Sequence, residues 1–202
     1  MSKVVILDNG HGSTTLGKRS PDGRLLEWRW TREFVSRLKP ELELLGYKVF
    51  NIVPEDDDIK LSTRAKRANQ IVAEYGASNC VFISVHCNAA STSGWAKATG
   101  FEVWTTEGNN NSDRLAEFIC DACVEHGVKL RTDMTDNDKD KEHNFTVIYM
   151  TNCPAVITEN LFMDSKNDVE FLLSEDGIQT LLDIHIDGIH RYFGGPVSII
   201  EQ

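Results

Sequence analysis

Val4-Val5-Ile6-Leu7-Asp8-Asn9-Gly10-His11-Gly12 decides how the rest of the chain is read. The first four residues are a continuous apolar, β-branched run, the composition of a strand buried on both faces. Asp8-Asn9-Gly10 ends it with turn chemistry, and a histidine follows between two glycines. Glycine permits positive φ and close approach of bulky groups. A buried strand that stops this way carries something to its tip. His11 is therefore a candidate metal ligand or catalytic base, against the plain alternative of a β-turn whose histidine is exposed by accident.

Working outward, strands and helices alternate. Leu26, Trp30, Phe34, Leu38, Leu42 and Leu45 recur at helical spacing, with a kink or break expected at Pro40 and a stop at Gly46. Tyr47 to Val53 reads as a strand, and Glu55 to Asp58 as a solvated acidic loop. A helix capped by Ser62 or Thr63 runs to Gly76. Cys80 to Val85 is a buried strand that ends in His86-Cys87-Asn88, a second histidine at a strand tip. Gly100 to Thr106 alternates as a strand does, and Asn109 to Ser112 opens a helix. Arg131 to His143 reads as a solvated loop and Phe145 to Met150 as a strand. Ala155 to Thr158 is a short buried strand ending in Glu159-Asn160. Helical segments run from about Asn167 to Phe193. The pattern predicts a single α/β domain over residues 1–196, with a largely parallel sheet, helices on both faces, and a tail over 197–202.

The chain has 202 residues, enough for one core to bury about 70% of its unfolded surface. Its formal net charge of -10 argues against a nucleic-acid partner, because phosphate neutralisation needs a basic face. The five cysteines fit no disulfide scaffold and read as reduced thiols. No run approaches the ~20 apolar residues of a membrane span, and no signal peptide is visible. Location is expected to be cytoplasmic until release, or secreted or at the cell wall if a leader was removed.

Functional groups of open α/β sheets gather beyond the carboxyl ends of the strands. This sequence places His11, His86 and Glu159 at three such ends. Two histidines, a carboxylate and an open fourth position form a hydrolytic zinc site, and a second carboxylate then serves as general base. Glu27 and Glu159 are the two carboxylate candidates.

The set Asp8-Asn9-Gly10-His11-Gly12, Glu27 in Leu25-Leu26-Glu27-Trp28, the segment from Leu61 to Asn69, Ile83 to Ala89, Gly100 to Trp104, and Pro154 to Asn160 resembles the zinc-dependent N-acetylmuramoyl-L-alanine amidases. The resemblance runs from Val4 to about Phe193. It implies a twisted six-stranded sheet flanked by helices, one zinc ion held by His11, Glu27 and His86, and Glu159 as the catalytic glutamate. The implied reaction hydrolyses the amide between the lactyl group of N-acetylmuramic acid and the L-alanine of the peptidoglycan stem peptide. Peptidoglycan and its muramoyl peptides are the implied partners; oligomeric state is not specified. Asn9, Leu161 and Ser165 stand where the family usually has Pro, Gly and Asn, and these departures touch substrate preference more than chemistry.

Other readings compete. An idle peptidoglycan-binding module on this fold, or a zinc peptidase or deacylase acting on another amide, would use similar residues. Asn88 is expected to fix the local turn or contact substrate, and Arg131 to meet a stem-peptide carboxylate. Asp8 is expected to orient His11 or to shape the turn. The flanking glycines are expected to keep room for a bulky glycan–peptide junction. Cys120, Cys123 and His126 have helical spacing and read as ordinary helix residues rather than a second zinc site. His143, His185 and His190 read as surface or helix-end residues.

Overall fold

The structure is a computed structural model that describes residues 2–134 and 138–195. The tail at 197–202 lies outside the described residues. Six strands form one sheet in the order β2-β1-β3-β6-β4-β5. They are β1 (Val4–Asn9), β2 (Lys48–Asn51), β3 (Cys80–Asn88), β4 (Glu102–Thr105), β5 (Lys141–Glu142) and β6 (Ala155–Phe162). β2, β1, β3 and β6 are mutually parallel; β4 runs antiparallel to β6, and β5 parallel to β4.

The helices are α1 (Glu27–Leu44), α2 (Leu61–Tyr75), α3 (Asn111–Glu125), α4 (Thr146–Tyr149), α5 (Lys166–Leu173) and α6 (Glu175–Tyr192). Each strand presents alternate residues to opposite faces. Val5, Leu7, Val81, Ile83 and Val156 pack with the apolar stripes of α1, α3, α5 and α6. Val4, Ile6, Phe82 and Ile157 pack with α2 and α4. Both faces are covered, which is why the inner strands read as unbroken apolar runs.

Several sequence expectations change. α1 continues through Pro40, whose ring is exposed while Phe34, Val35, Leu38 and Leu42 stay buried around it. Packing of that stripe outweighs the missing hydrogen bond. Leu45 lies beyond the helix and is exposed. The cap of α2 is Lys60, with no side-chain cap bond, so Ser62 and Thr63 lie inside the helix. Phe145 to Met150 is not a strand. Its buried residues, Val147 and Ile148, are consecutive rather than alternate, and they fold as the single turn α4. The fifth strand is Lys141–Glu142 instead, inside the segment expected to be a solvated loop; Asp140 beside it is buried and takes a 2.6 Å hydrogen bond from Thr105. The expected cap before α3 is present as a reciprocal box between Asn110 and Asp113.

Candidate metal centre

β1 and β3 are register-matched neighbours, so their carboxyl ends fall side by side and bring His11 near His86. The two rings stand edge to face with centroids 4.9 Å apart. Glu27 reaches them from the first turn of α1. Its backbone N–H donates to the Lys18 carbonyl at 3.0 Å, so the loop before the helix fixes the entry of α1.

The Glu27 carboxylate is buried. Oε1 lies 3.2 Å from His86 Nδ1 and 3.4 Å from His11 Nε2. It also accepts the Cys87 backbone N–H at 3.0 Å. The β3–β6 register shifts between His86 and Asn88. Such a bulge interrupts the ladder there and turns a backbone N–H toward a new partner. One ligand atom from each of His11, Glu27 and His86 lies within 4.8 Å of the others. Glu27 Oε2 is buried and has no hydrogen-bond partner. Two imidazoles and a buried carboxylate that keeps one oxygen without a partner fit a small divalent cation of the zinc type. Among the described residues no other His, Cys, Asp or Glu cluster has this form.

The charges agree. Burial works against ionisation of Glu27, but the hydrogen bond from His86 and the two imidazoles hold it below the ordinary carboxylate range. Burial pushes His11 down to about 4, against the pull of Glu27. Partial burial lowers His86 too, yet Glu27 and Glu159 raise it. Burial is thus the largest influence on both imidazoles; it prevails at His11 and is overcome at His86 by the two glutamates.

Glu159 lies within β6 rather than at its end, as the Cα partner of His86 on one side and of Glu102 on the other. Burial pushes its carboxyl up to about 8; His86 opposes this, and Glu27 and Glu102 add to it. Its Oε2 has no hydrogen-bond partner.

His11 itself, not a flanking glycine, takes the left-handed conformation, with φ 56. Its carbonyl accepts from Arg64 Nη2 at 3.1 Å and Arg32 Nη2 at 3.2 Å. The glycines serve packing rather than open space. A Cβ on Gly10 would sit 2.6 Å from the His86 ring, and one on Gly12 would run into the backbone of Asp57 and Asp58. Asp8 does not orient His11. It accepts from Arg64 Nη1 at 2.8 Å and Ser84 Oγ at 2.6 Å. The acidic loop is likewise engaged, Glu55 with Arg67 and Asp58 with Arg64 and Thr15. Leu161, where the family usually has glycine, is the other non-glycine at positive φ among the described residues, at 60.

Asn88 and Arg131 both bind Glu102, through Nδ2 at 2.9 Å and Nε at 2.5 Å. The remaining histidines stand apart. His126 pairs with Asp187 at 2.8 Å, and Cys120 and Cys123 are buried in the core. His143 is exposed against Phe145, and His190 Nδ1 lies 2.7 Å from the Tyr47 hydroxyl. His185 is not a surface residue: it is fully buried, 2.9 Å from Thr158 Oγ1. It sits four residues after Leu181 and four before Ile189, on the apolar stripe, which was the signal for its burial. Arg64 gives a similar signal, in line with Ala68 and Val72.

An open, mostly parallel sheet with a His-Glu-His cluster beyond its carboxyl end defines an α/β domain built around a candidate metal centre. Residues 5–191 match the family described as N-acetylmuramoyl-L-alanine amidase. The N-acetylmuramoyl-L-alanine amidase CwlM of Bacillus licheniformis is 31% identical over 191 residues, covering 94% of this chain and 68% of CwlM. The endolysin of Bacillus phage SPP1 is 29% identical, covering 94% of this chain and 65% of the endolysin. The chain thus spans about two thirds of the length of these relatives. An N-acetylmuramoyl-L-alanine amidase from Clostridium difficile 630 superposes with a TM-score of 0.81 at 24% identity, covering 95% of this chain and 97% of that one. The chain belongs to the N-acetylmuramoyl-L-alanine amidase family.

Proposed function

We propose that the chain hydrolyses the amide joining the lactyl group of N-acetylmuramic acid to L-alanine in peptidoglycan, with one zinc ion held by His11, Glu27 and His86. The observation that carries this reading is the convergence of those three side chains beside Glu159, with Glu27 Oε2 and Glu159 Oε2 both buried and unpartnered. Zinc in such a set acts as a Lewis acid on the scissile carbonyl and acidifies water.

The chain supplies the rest. Glu27 fixes both imidazoles and contributes the negative charge that a divalent cation requires. Glu159, with its carboxyl raised to about 8, gains and loses a proton near neutrality. It takes a proton from the attacking water and delivers it to the departing alanine amine. His11 and His86 are half-buried at the rim beyond β1 and β3, the side from which the glycan–peptide junction approaches Glu159.

Purified sacculi test the reading. New alanine amines should appear without new reducing sugar ends. Protein that only sediments with the wall would be a binding module, and equal cleavage of plain peptides would place it among peptidases of broader range.

A further inference from the structure

Glu102 is the most heavily solicited carboxylate near the centre. It is 2% exposed and is the antiparallel Cα partner of Glu159. Directly opposed side chains lie on one face about 5 Å apart. Oε1 accepts from Arg131 Nε at 2.5 Å and Lys141 Nζ at 2.9 Å. Oε2 accepts from Asn88 Nδ2 at 2.9 Å and Trp104 Nε1 at 3.0 Å. Four donors saturate the carboxylate, so it is neither a base nor a metal ligand.

We infer that Arg131 and Lys141, gathered on Glu102, form a subsite for a substrate carboxylate, which selects an acidic stem peptide as it leaves Glu159. This rests on the amidase reading above. Two cations share one anion, which leaves one positive charge at the rim of the site. In a chain of net charge -10 that charge is a local feature, not background. Each cation keeps N–H donors that Glu102 does not take. Both are held in place: Arg131 lies 5.1 Å over the Phe162 ring and Lys141 5.2 Å over the Trp104 ring. Both also keep part of their side chain in solvent, 37% for Arg131 and 18% for Lys141. A planar guanidinium beside an ammonium, pre-positioned and partly exposed, matches a carboxylate better than a neutral amide. Asn88 then acts through Glu102, as a positioning residue.

The test is calorimetric binding of a muramoyl dipeptide, as free acid and as primary amide, to protein carrying Glu159→Gln so that the ligand survives. The acid should bind about tenfold more tightly than the amide. Arg131→Gln and Lys141→Gln should each remove most of that preference and leave amide binding in place, and Arg131→Lys should restore part of it. Equal binding of acid and amide, a preference that survives both substitutions, or a parallel loss for both ligands overturns the subsite. Sacculus hydrolysis by the unsubstituted chain is read separately. Selective binding without hydrolysis would uphold the subsite and sink the amidase reading; hydrolysis without selectivity would do the reverse.

Discussion

Arg64 donates through Nη2 to the carbonyl oxygen of His11 at 3.1 Å, so a helix-borne guanidinium fixes the turn that carries the first candidate ligand. Arg64 is almost fully buried, and its other bonds reach Asp8, Asn9, Asp58 and Ile59. A non-glycine residue in the left-handed region costs about 1–2 kcal/mol, and this network holds it there. Arg64→Leu should lower stability by about 3–5 kcal/mol, because Asp8 is left buried without its counter-ion. Arg64→Lys keeps the charge but loses the fork. It should fold and bind zinc about 10- to 100-fold more weakly, read by competition with a chromogenic chelator. Unchanged zinc affinity in Arg64→Lys would mean that the turn holds itself.

Much of this arrangement is legible in the sequence. His11 and His86 were readable because unbroken apolar runs fix where parallel strands end, and parallel neighbours align their tips. Glu27 and Glu159 needed the resemblance, since a first-turn glutamate and a strand carboxylate each have plain structural uses. Arg64 stands in line with Ala68 and Val72, so its burial is legible, whereas its partners are not. Glu102 looks like a solvent-facing residue until Arg131, Lys141 and Asn88 arrive from other segments. The fifth strand is not legible in the sequence because Lys141–Glu142 has no apolar signature; its pairing comes from β4 alone. The sequence suggests that the glycines around His11 make space, whereas in the fold they are where neighbouring groups already touch.

That close packing predicts different outcomes for two similar substitutions. In Gly10→Ala the new methyl meets the His86 ring and the Val85 carbonyl, both 2.6 Å from the added carbon. The ring must shift, so zinc affinity should fall along with about 1–3 kcal/mol of stability. Gly12→Ala meets the backbone of Asp57 and Asp58, away from the rings. Its stability loss should be of the same order, read by urea unfolding, with a smaller effect on zinc. Equal zinc losses in the two variants would count against this assignment.

Metal removal and loss of the general base should separate cleanly. Dialysis against a chelator should abolish amine release and lower the thermal midpoint, because a cation that binds only the folded chain stabilises it by mass action. Zinc should restore both. Glu159→Gln should retain one zinc per chain by atomic absorption, with turnover reduced at least 100-fold. Joint loss of zinc and activity in that variant would move Glu159 into the ligand set.

His185 predicts how stability responds to acid. It is buried against Phe34 and Phe101, Nδ1 lies 2.8 Å from the Leu181 carbonyl, and Nε2 lies 2.9 Å from Thr158 Oγ1. Carbonyl oxygen only accepts, so Nδ1 carries the proton and Nε2 accepts from the threonine; the neutral ring satisfies both partners. Burial pushes the ring down to about 4 from an ordinary value of 6.5. The unfolded chain then binds a proton between those values that the folded chain refuses. Stability from this group is therefore fully present above pH 6.5 and is lost as pH falls toward 4, about 3 kcal/mol in all. His185→Gln keeps an acceptor and a donor but does not titrate. Its unfolding free energy, followed by urea titration at successive pH values, should fall less steeply than that of the unsubstituted chain from pH 6.5 to 4. Parallel slopes would show that the ring is protonated inside the fold.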